Sequence, residues 1–247
     1  MSTTPKPARH GDHAPSRQPV GHASVQVGSL FAAEVLALWV LGVALVGSSN
    51  TGVLDPLDQR VADAVGLAAT DAGHTAATAI TWLGSAVMLL PLVAILAVVA
   101  RRRQSWTPVV TAAIAIGGAE AVSQVVKRLV QRPRPPGAIA NGFAFPSGHA
   151  TLAAAAALTL ALLVRDRRWW RLAIALALVF TTAVAWSRVA LGVHWFSDVT
   201  VGALLGWSWA IAAAVVVSTP GQTRAARQRN AGPRAAVSAR RGPSSGR

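Results

Sequence analysis

Cysteine is absent from the 247 residues, and charge is scarce: only 13% of the side chains are Asp, Glu, Lys or Arg. Without a thiol there is no disulfide framework, no thiolate metal site and no cysteine nucleophile, and the redox compartment cannot be read from the sequence. A soluble domain of this size carries roughly twice that charged fraction, so a soluble globular chain is excluded on composition. A cleavable signal peptide is not expected either, because the first 29 residues are polar and the first apolar run reads as a true span. No internal repeat is evident. What the chain has in quantity is apolar surface: 53% of residues are hydrophobic and the mean hydropathy is +0.45. Several stretches approach or exceed the roughly 18–20 residues needed to cross about 30 Å of hydrocarbon.

Acidic residues are few, nine against 23 Lys and Arg, which leaves a net charge of +14. Such an excess suggests nucleic acid, but its distribution argues against that partner. Ten of the 23 lie in two tails: Lys6, Arg9 and Arg17, then Arg224, Arg227, Arg229, Arg234, Arg240, Arg241 and Arg247. Both tails are rich in Pro, Gly, Ser and Ala and lack hydrophobic periodicity. Residues 1–29 and 219–247 are therefore expected to be disordered basic extensions lying near anionic lipid.

Residues 30–218 between them form the expected membrane domain. Its fold class is all-α: a polytopic bundle of six transmembrane helices with the active site at the extracytoplasmic end. The spans fall at residues 30–46, 79–100, 108–130, 150–164, 172–186 and 199–217. They are helices because lipid offers no partner to an unpaired backbone group. Trp39 and Trp82 fall within or near helix ends. Trp106, Trp169, Trp170, Trp186 and Trp195 cluster where interfaces are expected. Residues 56–68 read as a short surface helix with Leu57, Val61, Val65 and Ala68 on one apolar face.

Loop charge sets the orientation. Arg101, Arg102 and Arg103 join spans two and three; Arg165, Arg167, Arg168 and Arg171 join spans four and five. With the basic tails, these segments share the cytoplasmic side under the positive-inside rule. The 47–78 connection, with Asp55, Asp58, Asp63 and Asp71 against Arg60 alone, belongs outside.

Polar residues then gather at the outer end. They are Lys127 and Arg128 at the end of span three, Arg132, Arg134, Ser147 and His149 before span four, and Ser187, Arg188, His194 and Asp198 between spans five and six. Each has an ordinary reading alone: Asp198 can cap span six, Arg188 can snorkel, His149 can sit satisfied in a loop, and Lys127 can anchor a helix end. Converging from three helix ends, on the side that should be poor in cations, they mark a site. Lys127, Arg134 and Arg188 suit the non-bridging oxygens of a phosphoryl group. Span four starts after Ser147, Gly148 and His149, so its free N–H groups and positive dipole end would face the same anion. Gly148 leaves room for close approach. The i,i+4 spacing of His194 and Asp198 lets the carboxylate take Nδ1–H and leave Nε2 as nucleophile, with His149 opposite as general acid and then base.

The stretches "KRLVQRPRP", "PSGH" and "SRVALGVHWFSD" fill every fixed position of K-x6-R-P, P-S-G-H and S-R-x5-H-x3-D. The chain thereby resembles the type 2 phosphatidic acid phosphatase superfamily, directly over residues 127–198. The resemblance implies a metal-independent phosphatase with a phosphohistidine intermediate and no cofactor. It assigns His194 as nucleophile, Asp198 as its partner, His149 as acid and base, and Lys127, Arg134, Ser147, Gly148 and Arg188 as phosphate ligands. Arg128 and Arg132 match no fixed position and read as surface charge, the alternative being contact with a second phosphate or lipid head groups. Glu120, two turns below Lys127, and Glu34, near the start of span one, carry no catalytic assignment.

The expected function is a lipid phosphatase of the bacterial plasma membrane, both termini inside, with undecaprenyl diphosphate as the preferred substrate. Phosphatidic acid and phosphatidylglycerophosphate are the close competitors. A vanadate-dependent haloperoxidase fits poorly, since members of that branch are soluble. From another class, a non-catalytic lipid binder or a transporter would keep the pocket, but a transporter should show matched halves or broken helices.

Overall fold

The computed structural model describes residues 54–67, 70–85, 87, 89–164 and 166–239, with backbone alone for Leu67, Leu89, Leu90 and residues 218–239. The expected first span, the tail before it, Glu34 and Trp39 lie outside the described residues. Among the described residues there are seven helices and no strand. They are α1 Asp55–Leu67, α2 Asp71–Leu83, α3 Leu89–Arg103, α4 Thr107–Val130, α5 Gly148–Leu162, α6 Arg167–Ala190 and α7 Phe196–Ala239.

Three of these are long and apolar enough to cross a membrane: α4, α6 and the Phe196–Val217 part of α7. Helix α5 is apolar but shorter. The expected continuous span at 79–100 is instead two helices, α2 and α3. Gly84 closes α2 through its N–H to Thr81 O and Trp82 O. Pro91 then sets where the chain becomes helical again. Deep inside a helix its ring would strike the carbonyl four residues back, whereas in the first turn of α3 no N–H is needed. Gly84 is also required sterically, since a Cβ there would sit 2.5 Å from Val184 Cγ1 on α6. At the C-terminal end, the backbone of α7 continues to Ala239, through residues whose composition suggested no regular structure. Ala and Arg, frequent there, are good helix formers.

Helix α5 sits against α4, α6 and α7, and its alanines allow it. Ala150, Ala153, Ala154, Ala155 and Ala161 are buried, and side chains this small let helix backbones approach. Helix α7 answers with Gly202 and Gly206, four apart on one face. A Cβ on Gly202 would lie 2.6 Å from Ser147 O, and one on Gly206 would overlap Thr151 O. The start of α5 is thereby pressed against the start of α7. Large apolar side chains point outward instead: Val93, Ile95, Val98, Leu176, Val179 and Val216 are all more than half exposed, the arrangement of a surface solvated by lipid.

The bundle has two chemically different ends. Arg103 Nη2 donates to Leu163 O at 3.3 Å, which brings the α3–α4 and α5–α6 connections together at a basic end, where Trp106, Trp169 and Trp170 are exposed. At the other end lie the C-termini of α4 and α6 and the N-termini of α5 and α7. Helix α1 lies across that end, with Val61 and Val65 packed on Ala150, Val189 and Val199. Leu57, expected on the same apolar face, is exposed.

Candidate active site

The chain enters the site region through two left-handed turns. Gln131, φ 51°, closes α4 with its N–H on Lys127 O, and Gly192, φ 64°, turns the chain between α6 and α7. The first lets the proline-bounded segment from Arg132 fold back over the helix ends. The second presents Val193 O and His194 toward it, a turn for which glycine is the unstrained choice.

A cavity of about 610 Å³ opens where these segments meet. Six of the eight expected site residues line it: Lys127, Arg134, Gly148, His149, Arg188 and His194. Lys127 Nζ donates to Pro146 O at 2.6 Å and Phe143 O at 3.3 Å. Arg188 Nη1 donates to Thr81 Oγ1 at 2.7 Å, while its buried Nε has no hydrogen-bond partner among the described residues. Arg134 is held by carbonyls: Nε on Gly142 O at 3.0 Å, Nη2 on Asn141 O at 3.1 Å, and Nη1 on Val193 O at 2.7 Å. Burial holds the Arg134 guanidinium below its usual pKa, with Asp198 pulling the other way. No protein packing demands glycine at 148, since a Cβ there would meet only Glu120 Oε2 at 3.8 Å. Glu120 lies on the same wall and accepts from Gln124 Nε2 at 2.6 Å.

The tautomer of His194 follows from its neighbours. Arg134 Nη1 lies 3.2 Å from Nε2, and a guanidinium N–H can only donate, so Nε2 carries the lone pair and Nδ1 the proton. Nδ1 faces Asp198 Oδ2 at 3.4 Å. That is an electrostatic pairing outside hydrogen-bond geometry, and Nδ1 has no hydrogen-bond partner among the described residues. Burial pushes the His194 pKa down to about 4. Asp198 opposes the shift, while Arg134 and Lys127 reinforce it. The imidazole is neutral at physiological pH.

Asp198 and Ser147 stand behind the cavity wall, both fully buried. Asp198 O accepts from Ser147 N at 3.0 Å, which ties the PSGH turn to α7. Ser147 Oγ makes no cap bond to α5 and has no hydrogen-bond partner among the described residues. Ser147 is not among the residues that line the cavity. Among the described residues, no group of three or more His, Cys, Asp or Glu side chains is arranged to hold a metal ion.

Arg132 corrects the sequence reading. It is 8% exposed and is no surface charge. Its Nη1 donates to Asp198 Oδ1 at 2.8 Å and Ser197 Oγ at 2.7 Å; its Nη2 reaches Asp58 Oδ2 at 2.8 Å and Asp55 Oδ1 at 3.2 Å. Burial weakens its charge, but Asp198 and Asp58 outweigh that and hold its pKa above the usual value. Trp195, expected at the interface, lies under this guanidinium, 5.6 Å from Cζ to the ring centroid. Asp58 is itself only 1% exposed. The available signal was charge matching: unexplained cations and a run of aspartates had been placed on the same side.

An all-helical bundle with membrane-length apolar helices, holding three cations around a histidine paired with a carboxylate, defines a membrane protein with a cavity suited to an anion. The chain belongs to the PAP2 superfamily, whose pattern matches residues 108–221. It is 34% identical over 191 residues to the decaprenylphosphoryl-5-phosphoribose phosphatase of Mycobacterium tuberculosis, covering 73% of this chain and 96% of that protein. It is 33% identical over 143 residues to the undecaprenyl-diphosphatase of Sulfolobus acidocaldarius, covering 53% and 64% respectively. Among solved structures, the transmembrane PAP2-type phosphatidylglycerolphosphate phosphatase of Bacillus subtilis superposes with a TM-score of 0.63 at 26% identity, over 76% of this chain and 96% of that one. These relatives are lipid phosphatases, hydrolases of phosphoric ester bonds.

Proposed function

We propose that this protein removes a terminal phosphate from a membrane lipid through a phosphohistidine at His194. One observation carries the reading: the imidazole lone pair on Nε2 and three cations from three different segments face one cavity. Lys127, Arg134 and Arg188 gather the non-bridging oxygens. Arg134 exchanges its contact with Nε2 for the phosphoryl group and frees the lone pair. Nε2 attacks phosphorus in line, the bond to the lipid oxygen breaks, and His149 gives that oxygen a proton. His149 then takes a proton from water, the water oxygen attacks phosphorus, and inorganic phosphate leaves with His194 restored. Asp198 balances the charge that the ring acquires. Catalysis in this scheme is positioning plus electrostatic stabilisation.

The lipid tail has a place beside the head-group cavity. An apolar groove of about 410 Å³ between α5 and α6 shares Gly84, Ser85 and Leu152 with the cavity wall. Undecaprenyl diphosphate, phosphatidic acid and phosphatidylglycerophosphate all carry a suitable terminal phosphate. With the basic end cytoplasmic, the site opens on the outer face of the plasma membrane.

The test is phosphate release in detergent from each of these three lipids, with and without chelator. His194→Ala is expected to abolish turnover and the acid-labile phosphoenzyme, a loss of at least about four orders of magnitude if the nucleophile is assigned correctly. Retention of most activity would overturn that assignment, and activity removed by EDTA and restored by Mg²⁺ would overturn the metal-free route.

A further inference from the structure

Helix α1 ends some forty positions before the family-matched segment, yet two of its carboxylates reach the back of the site. From this geometry we infer that Asp58 and Arg132 form a positioning pair that fixes the Asp198 carboxylate behind His194, making α1 a working part of the phosphatase. The inference rests on the reading of His194 as nucleophile.

Each oxygen of Asp198 has its own donor. Arg132 Nη1 holds Oδ1 at 2.8 Å, and Trp195 N holds Oδ2 at 2.9 Å, the oxygen that faces His194 Nδ1. Two donors on two oxygens stop the carboxylate from rotating, and a carboxylate that cannot rotate keeps its charge facing Nδ1. Arg132 is oriented in its turn. Its second nitrogen is spent on Asp58 and Asp55, Ser197 Oγ takes a further bond, and Trp195 lies beneath the guanidinium plane.

Asp58 acts a second time, on the helix that carries Asp198. Its Oδ1 accepts from Ser197 N at 2.8 Å and its Oδ2 from Ser197 Oγ at 2.6 Å. Ser197 N belongs to the first turn of α7, where backbone N–H groups have no partner within the helix. An aspartate from another element caps that turn, and the i,i+4 relation of His194 to Asp198 depends on where the turn begins.

Charge makes the pair more than a brace. One buried guanidinium stands between two fully buried carboxylates, with Asp55 half-buried at the edge. Arg132 thus takes part of the negative charge of Asp198 away from His194, and Asp58 takes part of Arg132. Arg134, Lys127 and Asp198 act on the ring directly, and Arg188 and His149 share the cavity wall; none of these five changes in the variants below. Neutralising Arg132 strengthens the hold of Asp198 on the imidazolium, so His194 protonates at higher pH. Neutralising Asp58 does the reverse.

The experiment measures kcat, KM and the acid limb of kcat/KM for full-length Arg132→Gln, Asp58→Asn and Arg132→Lys in detergent, on the best substrate of the lipid panel. Both neutralising variants are expected to lose about 10- to 100-fold in kcat, the effect of a small misplacement, with KM little changed. The acid limb should move up in pH for Arg132→Gln and down for Asp58→Asn, and return toward its original position in Arg132→Lys. Limbs that stay put or move the same way would overturn the pair, because a brace that only keeps the protein folded has no reason to shift them in opposite directions. Where a neutralising variant fails to give a monodisperse peak, Ser197→Ala takes its place. It keeps both charges and should lower kcat several-fold with the limb unmoved; unchanged kcat counts against the inference. His194→Ala is measured in parallel. If it retains turnover, the nucleophile reading fails; if it is dead while the α1 variants are unaffected, only the present inference does.

Discussion

The two nitrogens of His194 face opposite chemistries, and that asymmetry has a consequence for stability as well as for reaction. Burial holds the ring pKa at about 4 against an ordinary value of 6.5, so the folded protein keeps this imidazole neutral. As pH falls below about 6.5, the unfolded chain takes up a proton that the folded one refuses, and stability falls until the folded ring titrates as well. Between about pH 7 and pH 5 this one group should cost about 2 kcal/mol. Thermal unfolding in detergent at the two pH values, for the wild type and His194→Gln, measures it. The variant should lose less stability across that interval, and equal losses would show that other groups carry the acid sensitivity.

At the scale of elements, the site depends on how closely two helices touch. The motifs on α5 and α7 meet only because Gly202 and Gly206 let the backbone of one helix lie on the other. A methyl at position 206 would run into Thr151 O, which is backbone and cannot swing away. Gly206→Ala should therefore destabilise by about 1–3 kcal/mol, as overpacking of a tight contact does, and lower activity, because Ser147 N and Asp198 O separate. Gly66 on α1 has nothing within 4 Å of an added Cβ. Gly66→Ala should be neutral or stabilising by up to about 1 kcal/mol. Melting temperatures of the two variants side by side test the contrast, and a benign Gly206→Ala would refute the close-packing account. The same close approach explains why α5 could be read as a helix from its sequence while its central position could not. Its hydrophobicity is uniform around the axis, so no stripe points to a neighbour.

For the molecule as a whole, the decisive feature is polarity between its ends. Basic connections meet at one end, through Arg103 and Leu163 O, and the site lies at the other. The proposed orientation, with the basic end inside under the positive-inside rule, would put the site on the outer face. Because the chain has no cysteine, a single introduced thiol reports this without background. Ile139→Cys, on a residue 98% exposed at the site end, should react with a membrane-impermeant maleimide in intact cells. Gln104→Cys, exposed at the basic end, should react only after permeabilisation. The opposite pattern would invert the topology and place the hydrolysed phosphate inside.

The sequence by itself determined the helical, membrane-suited character of the described residues and which polar side chains gather at one end of them. Bilayer length and the exclusion of unpaired backbone are conditions on composition, and His194 and Asp198 are close in the chain, on either side of the start of α7 at Phe196. Lys127, Arg134, Gly148, His149 and Arg188 were legible for a related reason: cations placed against an expected charge bias stand out without knowledge of their neighbours. Only the tertiary structure decided what lies behind them. Asp58 and Arg132 are more than seventy positions apart and become partners because α1 folds across the ends of α5, α6 and α7. Arg132 reads as surface charge until its burial is known. The expected second span divides at Gly84, and only packing shows that Val184, a hundred residues away, occupies the space a side chain there would need. Long-range contacts of this kind leave no periodicity in the chain, so they are settled by packing alone.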